Sequence, residues 1–142
     1  MKLINSLAAT IILSLCFTPL NALAEAHVAK EKLIIQMSDA DPAKWNLALN
    51  NVKNVQQMLG AANVDAEIVV YGPGIGMLKL DSTVGHRVEE ARQANVAIVA
   101  CEVTMKNQKL SANDMLPNIS YVPTGVVELM KKQKEGYAYI RP

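Results

Sequence analysis

Residues 95–110 read NVAIVACEVTMKNQKL, and this stretch decides the fold. The run from Val96 to Ala100 is short and apolar, which is typical of a strand buried on both faces. The residues after Cys101 are polar and rich in helix formers, so a helix is predicted to follow the strand directly. Cys101 then lies at the carboxyl end of a strand and the amino end of a helix. In open α/β sheets, ligands bind at that edge.

The position of Cys101 allows two interpretations. Unpaired N–H groups and the positive end of a helix dipole favour a thiolate over a thiol, which predicts a reactive and partly exposed Cys101. Alternatively, Cys101 is a small hydrophobic residue that closes a buried strand. The local sequence leaves both interpretations open.

The first 24 residues have the pattern of a secretory signal peptide. Lys2 supplies a positive start, residues 3–20 are almost continuously apolar or small, and Ala22-Leu23-Ala24 forms an A-x-A cleavage site. The apolar run is too short and too interrupted to span a membrane comfortably. Cys16 follows a bulky leucine, where a lipidation site requires a small residue. We therefore expect cleavage after Ala24, export to a bacterial periplasm and no membrane association of the mature chain.

Cleavage would leave residues 25–142, which are enough for a single domain with a substantial core. Thirteen Lys and Arg would balance thirteen Asp and Glu, which argues against nucleic-acid or acidic-membrane partners. Cys101 would be unpaired in an oxidising compartment, so it must be buried, joined to another molecule or kept as a working thiol. His27 and His86 have no Cys or His neighbours at metal-ligand spacing, so no metal site or cofactor is predicted.

Five predicted strands alternate with helices, which indicates an α/β domain with a mostly parallel sheet and helices on both faces. The strands are predicted over residues 32–37, 65–71, 96–100, 119–122 and 137–140. The longest predicted helix begins at Asp41 and Pro42, an N-cap followed by a first-position proline, and ends before Gly60. Further helices are predicted over residues 84–93, directly after Cys101, and after Gly125 through residue 133.

The segment Gly72-Pro73-Gly74-Ile75-Gly76 follows the second predicted strand, so we expect it at the same edge of the sheet as Cys101. Glycines at that edge permit positive φ and close approach of the backbone to a ligand. The segment is neither a P-loop nor a G-x-G-x-x-G motif, and a plain turn also accounts for it.

Five short motifs occur in order along residues 71–140. They are Tyr71-Gly72-Pro73-Gly74, Ala100-Cys101-x-x-Thr104-Met105, Leu116-Pro117, Val122-Pro123-x-Gly125-Val126-x-Glu128-Leu129 and Glu135-Gly136-Tyr137-Ala138-Tyr139-Ile140. Together they resemble the DsrE/DsrF-like family, which includes sulfur-relay subunits and small exported proteins. The resemblance implies a flavodoxin-like, three-layer α/β/α fold with about five strands that assembles as a homotrimer or homohexamer.

The resemblance also implies a role for Cys101, which aligns with the cysteine that carries sulfane sulfur as a persulfide in the sulfur-relay members. Gly72, Pro73 and Gly74 align with the loop beside that cysteine, and we expect the N–H groups of the loop's glycines to face the sulfur. Thr104 is expected to form a hydrogen bond near the sulfur or with the backbone of its own helix.

Two positions depart from the family pattern. Tyr71 stands where the family has His, which removes an imidazole that would exchange a proton with the thiol. Glu102 follows Cys101 where the family has Gly, and a carboxylate facing the sulfur would raise the thiol pKa by charge repulsion.

Three functions fit the sequence. In the first, the protein is a sulfane-sulfur carrier or sulfurtransferase, in which Cys101 takes sulfur from a donor and passes it to an acceptor thiol. In the second, it is a non-catalytic oligomer that binds a small ligand at the same edge. In the third, it is a structural protein in which Cys101 is a core residue. Whether the protein is an enzyme stays open at this point.

Overall fold

A five-stranded parallel sheet lies at the centre of the protein. The computed structural model describes residues 29–142, so the predicted leader lies outside the described residues. The strands are β1 (Glu31–Met37), β2 (Val64–Val70), β3 (Val96–Cys101), β4 (Ser120–Val122) and β5 (Ala138–Ile140). Their spatial order is β4-β3-β2-β1-β5, and every neighbouring pair is parallel.

Helices and short 3-10 segments connect the strands. The helices are α1 (Pro42–Leu59), α2 (Gly85–Gln93), α3 (Glu102–Asn107) and α4 (Gly125–Lys134). The 3-10 segments are Ala61–Asn63, Gly72–Leu78 and Ala112–Asp114. Within residues 29–142, no helix combines the length and the apolar character needed to cross a membrane.

The chain changes its direction across the sheet once. From β1 to β4 each new strand is added on the same side, whereas β5 returns to pair with the other side of β1. Parallel crossovers are right-handed, so a crossover that runs back across the sheet places its helix on the opposite face. As a result α1 and α2 pack on the first face of the sheet, and α4 packs on the second face.

Alternate strand residues fill two cores of unequal size. The larger core lies on the first face, where α1 contributes Trp45, Leu49 and Val52 and α2 contributes Val88. The smaller core lies under α4 and consists of Ile34, Val69, Val99, Leu129 and Tyr137. Within residues 29–142, α4 is the only helix on the second face, and three of its apolar side chains are about half exposed. These are Val126, Val127 and Met130.

The start of α1 follows from its sequence. Asp41 Oδ1 accepts a hydrogen bond of 2.8 Å from the N–H of Ala43, and Pro42 occupies the first turn. Trp45 lies one turn later, and its indole N–H donates to the carbonyl of Asp39 at 2.6 Å. A Cβ on Gly76 would lie 3.2 Å from the tip of the Trp45 ring, so α1 packs tightly against the segment that follows β2.

The predicted α/β fold with five strands and helices on both faces is confirmed. The strand order, which the sequence left open, differs from the 2-1-3-4-5 order of flavodoxin itself. Tyr71 was predicted to end the second strand, but it lies one residue beyond β2. α3 ends at Asn107, because Lys109 takes a positive φ of 57° and the N–H of Leu110 turns back to the Met105 carbonyl.

A polar network lies beneath α4 on the second face. Glu67 of β2 is only 5% exposed, and its Oε2 lies 3.2 Å from Nζ of Lys132. The Lys132 Nζ also lies 4.9 Å from the ring centroid of Tyr137, whose hydroxyl donates to Asp65 Oδ2 at 2.6 Å. The second carboxylate oxygen of Glu67 has no hydrogen-bond partner among residues 29–142. This network joins the last turns of α4 to the sheet through a partly satisfied buried charge.

We predict that Glu67→Gln changes how stability depends on pH. Burial raises the pKa of Glu67 above its ordinary value of 4.5, against the opposing hydrogen bond and charge of Lys132. The folded protein therefore binds this proton more tightly than the unfolded chain does. The stabilisation is fully present below pH 4.5 and is lost as pH rises through the folded-state pKa. Glutamine stays neutral and lacks this loss, so the variant should gain stability relative to the wild type between acidic and neutral pH.

Urea unfolding of both proteins across that pH range measures the difference. Glu31→Gln is the matched control, because it makes the same substitution at an exposed position at the start of β1. A difference in unfolding free energy between wild type and Glu67→Gln that stays constant over the whole pH range would contradict the prediction.

Candidate functional site

Cys101 is the last residue of β3 and the N-cap residue of α3. Cys101 is only 4% exposed in the single chain. The prediction of a partly exposed thiol is therefore wrong for the single chain. The cover comes from two directions: Tyr71 lies at the neighbouring strand end, and the first residue of α4, Gly125, approaches from the second face. The site is therefore a buried thiol at the carboxyl edge of the sheet.

The surroundings of the thiol favour its ionised form. Burial raises the pKa of Cys101, but four groups lower it: the Thr104 hydroxyl and the backbone N–H groups of Gly125, Thr104 and Val103. Together they hold the pKa below the ordinary thiol value, because each donor stabilises a negative sulfur more than a neutral one. The prediction that a strand-to-helix junction lowers the pKa of this cysteine is consistent with these contacts.

The contribution of α4 was not predicted from the sequence. The Gly125 N–H belongs to the first residue of α4, which comes 24 positions after Cys101 in the chain. β4 pairs with β3 in parallel, with Val122 opposite Cys101, so the chain leaving β4 is at the level of the thiol when α4 begins. The fourth strand and the helix after it were both predicted from the sequence. Placing the start of that helix beside Cys101 also requires knowing that β4 pairs with β3, which the sequence left open.

Gly125 can approach the thiol because it lacks a side chain. A Cβ at this position would lie 3.1 Å from Cβ of Tyr71 and 3.2 Å from Cγ1 of Val69. These distances are shorter than ordinary contacts between side chains, so a larger residue would push the start of α4 away from β2. The glycine therefore sets the distance between the helix terminus and the sulfur.

The segment Gly72-Pro73-Gly74 lies at this edge, as predicted, but its contact with the thiol runs through Thr104. The N–H of Gly72 donates to Thr104 Oγ1 at 2.9 Å, and Gln108 Nε2 donates to the Gly72 carbonyl at 3.2 Å. One lone pair of Thr104 Oγ1 is occupied by Gly72, which leaves the hydroxyl proton for another acceptor, and this hydroxyl lowers the pKa of Cys101. The loop thus orients a donor to the thiol, and Gln108 fixes the loop.

Gly74 anchors the same segment to β1. A Cβ on Gly74 would lie 2.6 Å from the carbonyl oxygen of Met37, a distance that no side chain can adopt without moving the backbone. The Gly74 N–H also donates to the Ser38 carbonyl at 3.2 Å. Glycine at this position is therefore required for the loop to rest on the end of β1.

The two departures from the family pattern have different outcomes. Glu102 is exposed at the first position of α3, and it is not among the groups that shift the pKa of Cys101. The expected charge repulsion is therefore not supported. Tyr71 is half-buried beside the thiol, and burial is the main cause that raises its pKa. Tyr71 therefore presents a neutral hydroxyl where the family has an imidazole.

Four further polar residues at this edge were missed by the sequence analysis. They are Gln36, Ser38, Tyr139 and Arg141. Gln36 and Ser38 lie at the end of β1, and Tyr139 and Arg141 lie at the end of β5, which pairs with β1. Because β5 lies next to β1 only after the chain reverses, the sequence contained no sign that these residues meet. Within residues 29–142, no group of three or more His, Cys, Asp or Glu side chains is placed to hold a metal ion.

A three-layer α/β/α protein with one cysteine at the carboxyl edge of a parallel sheet is the class that these observations define. A sequence profile of the DsrE/DsrF-like family matches residues 30–142, and the chain belongs to that family. No curated protein matches the chain. Membership supports a sulfur-relay-related role at the level of the family.

Solved structures with the same fold include three bacterial and archaeal proteins. The protein of unknown function MTH1491 from Methanobacterium thermoautotrophicum is 29% identical with a TM-score of 0.76, covering 80% of this chain and all of its own. The ychN protein from E. coli is 14% identical with a TM-score of 0.63, covering 79% of this chain and 99% of its own. The protein of unknown function BT1422 from Bacteroides thetaiotaomicron is 17% identical with a TM-score of 0.63, covering 79% and 95%. At these low identities, the similarity to the last two proteins shows a shared fold alone.

We predict that Thr104→Val raises the pH at which Cys101 becomes reactive. Valine has nearly the same shape as threonine but cannot donate to the sulfur, so the thiolate loses one of its stabilising contacts. The rate of alkylation of the folded protein by iodoacetamide, measured against pH, should show its inflection at a higher pH than in the wild type. Thr104→Ser keeps the hydroxyl and is the matched control. Equal inflections in Thr104→Val and wild type would contradict this role.

Proposed function

We propose that this protein is an exported sulfane-sulfur carrier in which Cys101 holds the sulfur as a persulfide. The observation that supports the proposal most directly is the position of one buried thiol at a strand-to-helix junction, where the Thr104 hydroxyl and nearby backbone N–H donors lower its pKa against the effect of burial. A structural cysteine needs no such donors, because a neutral thiol is a weak hydrogen-bond partner and packs as a small hydrophobic group. A persulfide carrier needs them twice, for the attacking thiolate and for the persulfide anion.

The proposed cycle has two displacement steps. In the first, the Cys101 thiolate attacks the outer sulfur of a donor persulfide. A bond forms between Sγ and that sulfur, the sulfur–sulfur bond of the donor breaks, and its electron pair leaves with the donor thiolate. In the second, an acceptor thiolate attacks the outer sulfur on Cys101, and Cys101 departs as a thiolate. Neither step requires an oxidant or a reductant, because the sulfane sulfur is transferred at the same oxidation level.

The burial of Cys101 suits a carrier that protects its sulfur. At 4% exposure the thiol is shielded from bulky oxidants and from random disulfide exchange. Access for a donor requires that the donor be small or that the cover at Tyr71 and Gly125 move. The second candidate function, a non-catalytic oligomer that binds a small ligand, is favoured by the same low exposure and by the loss of the imidazole at position 71.

We also propose that the carrier is a homo-oligomer, a trimer or a hexamer. The support is the apolar side of α4, where Val126, Val127 and Met130 lie within about one turn and are each about half exposed. Contiguous exposed apolar residues on a helix mark a surface that another chain can cover. The same helix supplies Gly125 to the thiol, so assembly would also bear on access to Cys101.

Intact mass measurement of the protein from its native host tests the carrier and the export together. Removal of the leader predicts a chain that begins at Glu25. Incubation of this chain with polysulfide should add the mass of one sulfur, and an acceptor thiol should remove it. Cys101→Ser should show the same N-terminus and no gain in mass.

Three outcomes would contradict parts of this proposal. A chain that retains Met1 or carries lipid on Cys16 would refute export by a cleaved leader. A wild-type protein that gains no sulfur, although Cys101 is alkylated, would refute the carrier. A persulfide that cannot be passed to any acceptor thiol would favour the binding protein.

We predict that Met130→Asp reduces the mass of the assembly in solution. A carboxylate placed in an apolar contact loses hydration without a partner, so the contact should weaken by several kcal/mol and dissociate at working concentrations. Light scattering should return a trimer or hexamer for the wild type and a smaller species for the variant. Met58→Asp is the control, because Met58 is 82% exposed near the end of α1 and lies away from α4. A monomeric wild type would rule out the assembly.

A further inference from the structure

A chain of polar side chains crosses the carboxyl edge of the sheet and ends beside Cys101. The Tyr139 hydroxyl on β5 donates to Gln36 Oε1 on β1 at 2.6 Å. The other end of the same amide, Nε2, donates to Ser38 Oγ at 3.1 Å. Ser38 is also a neighbour of Tyr71, which follows β2, and its hydroxyl acts to lower the pKa of Tyr71 against the larger effect of burial. The chain therefore links β5, β1 and β2 in their spatial order.

The direction of these hydrogen bonds determines what Tyr71 can do. Tyr139 uses its one proton on Gln36, and Gln36 uses an amide proton on Ser38. Ser38 Oγ accepts from Gln36, so its own proton is available to the Tyr71 oxygen. This leaves the proton of Tyr71 as the last donor of the chain, with no partner assigned within it. A hydroxyl that accepts a hydrogen bond is also a better donor, because successive bonds polarise one another.

Tyr71 and Cys101 are side by side at the ends of adjacent strands. Val70 pairs with Ala100, and Tyr71 and Cys101 are the residues that directly follow this pair. The Tyr71 side chain also packs against Gly125, whose N–H faces the sulfur. Burial, with Tyr139 as the next cause, raises the pKa of Tyr71, and Cys101 is among the groups that act on it. The hydroxyl thus keeps its proton at neutral pH and lies in the electrostatic range of the thiol.

Positive charge is placed at the same edge. Arg141 follows β5, and its guanidinium acts on the Tyr71 hydroxyl. Its nearest acid is Asp39, at 3.8 Å between Nη2 and Oδ2, and Asp39 is already paired with Lys44 at 3.1 Å. Asp39 is therefore shared between two cations, and Arg141 is left with charge that is only weakly compensated. An anion beside Tyr71 would meet both a neutral donor and this guanidinium.

We propose that the Tyr71 hydroxyl binds the departing group of an anionic sulfane-sulfur donor while Cys101 takes its outer sulfur. The proposal rests on the proposed carrier function and names its substrate class: small donors whose leaving group is an anion, such as thiosulfate or a low-molecular-weight persulfide. With thiosulfate, a bond forms between Cys101 Sγ and the sulfane sulfur. The sulfur–sulfur bond of thiosulfate breaks, and its electron pair leaves on sulfite. Tyr71 donates a hydrogen bond to that leaving anion and transfers no proton.

Tyr71→Phe is the direct test, because it removes the hydroxyl and keeps the ring that packs against Gly125. Loading of Cys101 is followed by intact mass in a single turnover, with thiosulfate in one arm and glutathione persulfide in the other. We expect loading to slow about tenfold or more, the value of one hydrogen bond to an anion. Alkylation by neutral iodoacetamide should change less than about twofold, because the thiolate keeps its own donors. Tyr121→Phe, at another partly exposed tyrosine, should load as the wild type does.

Substitutions of Tyr139 and Arg141 test whether the polar chain and the guanidinium contribute to loading of Cys101. Tyr139→Phe breaks the chain at its far end and should slow loading by a smaller factor than Tyr71→Phe. Arg141→Gln should slow loading from doubly charged thiosulfate more than from the persulfide. Thermal unfolding of each variant shows whether it is folded.

The outcomes distinguish a failure of the proposed Tyr71 role from a failure of the carrier function. A wild type that takes up no sulfur from either donor would overturn the carrier function and this inference with it. A wild type that loads, with Tyr71→Phe loading at the same rate, would overturn the role of Tyr71 alone. Equal slowing of loading and of alkylation in Tyr71→Phe would also overturn it, because the hydroxyl would then act on the thiol and not on the donor.

Discussion

The single reversal of the chain across the sheet is the constraint on which the rest of the structure depends. Four strands are added in one direction, and the return to the far side of β1 places α4 on the second face by the handedness of the crossover. Among residues 29–142, α4 is the only helix that packs on this face. Its apolar side stays half exposed, its last turns are joined to the sheet by a buried ion pair, and its first residue contacts the thiol.

The site combines parts from both faces because of this reversal. The N–H groups that lower the pKa of Cys101 belong to Val103 and Thr104 of α3, which continues from β3, and to Gly125 of α4, which follows β4. The Gly72 segment touches the sulfur only through Thr104. Two glycines make the approach feasible, Gly74 against the Met37 carbonyl and Gly125 against Tyr71. The thiol is thus stabilised by backbone dipoles that are fixed before any donor arrives, which is the form of electrostatic stabilisation that needs least rearrangement.

The parts of the fold that depend on local pattern could be predicted from the sequence. Hydrophobic periodicity, Asp41 with Pro42, and the apolar run before Cys101 determined the type and order of the elements. Strand order depends on pairings between distant segments, for which a single sequence carries no local pattern. Gly125, Gln36 and Tyr139 were therefore missed as site residues, although each lies in an element whose type was predicted. The exposure of Cys101 was misjudged for the same reason, since its cover comes from α4.

The contact between Trp45 and Gly76 has a spectroscopic consequence. The chain contains a single tryptophan, so its intrinsic fluorescence arises from one place. That place is the contact between the first turns of α1 and the segment that begins at Gly72 and orients Thr104. The emission wavelength reports the polarity around one indole whose N–H is bound to the Asp39 carbonyl. Movement of the loop beneath the thiol is thus visible in solution without any attached label.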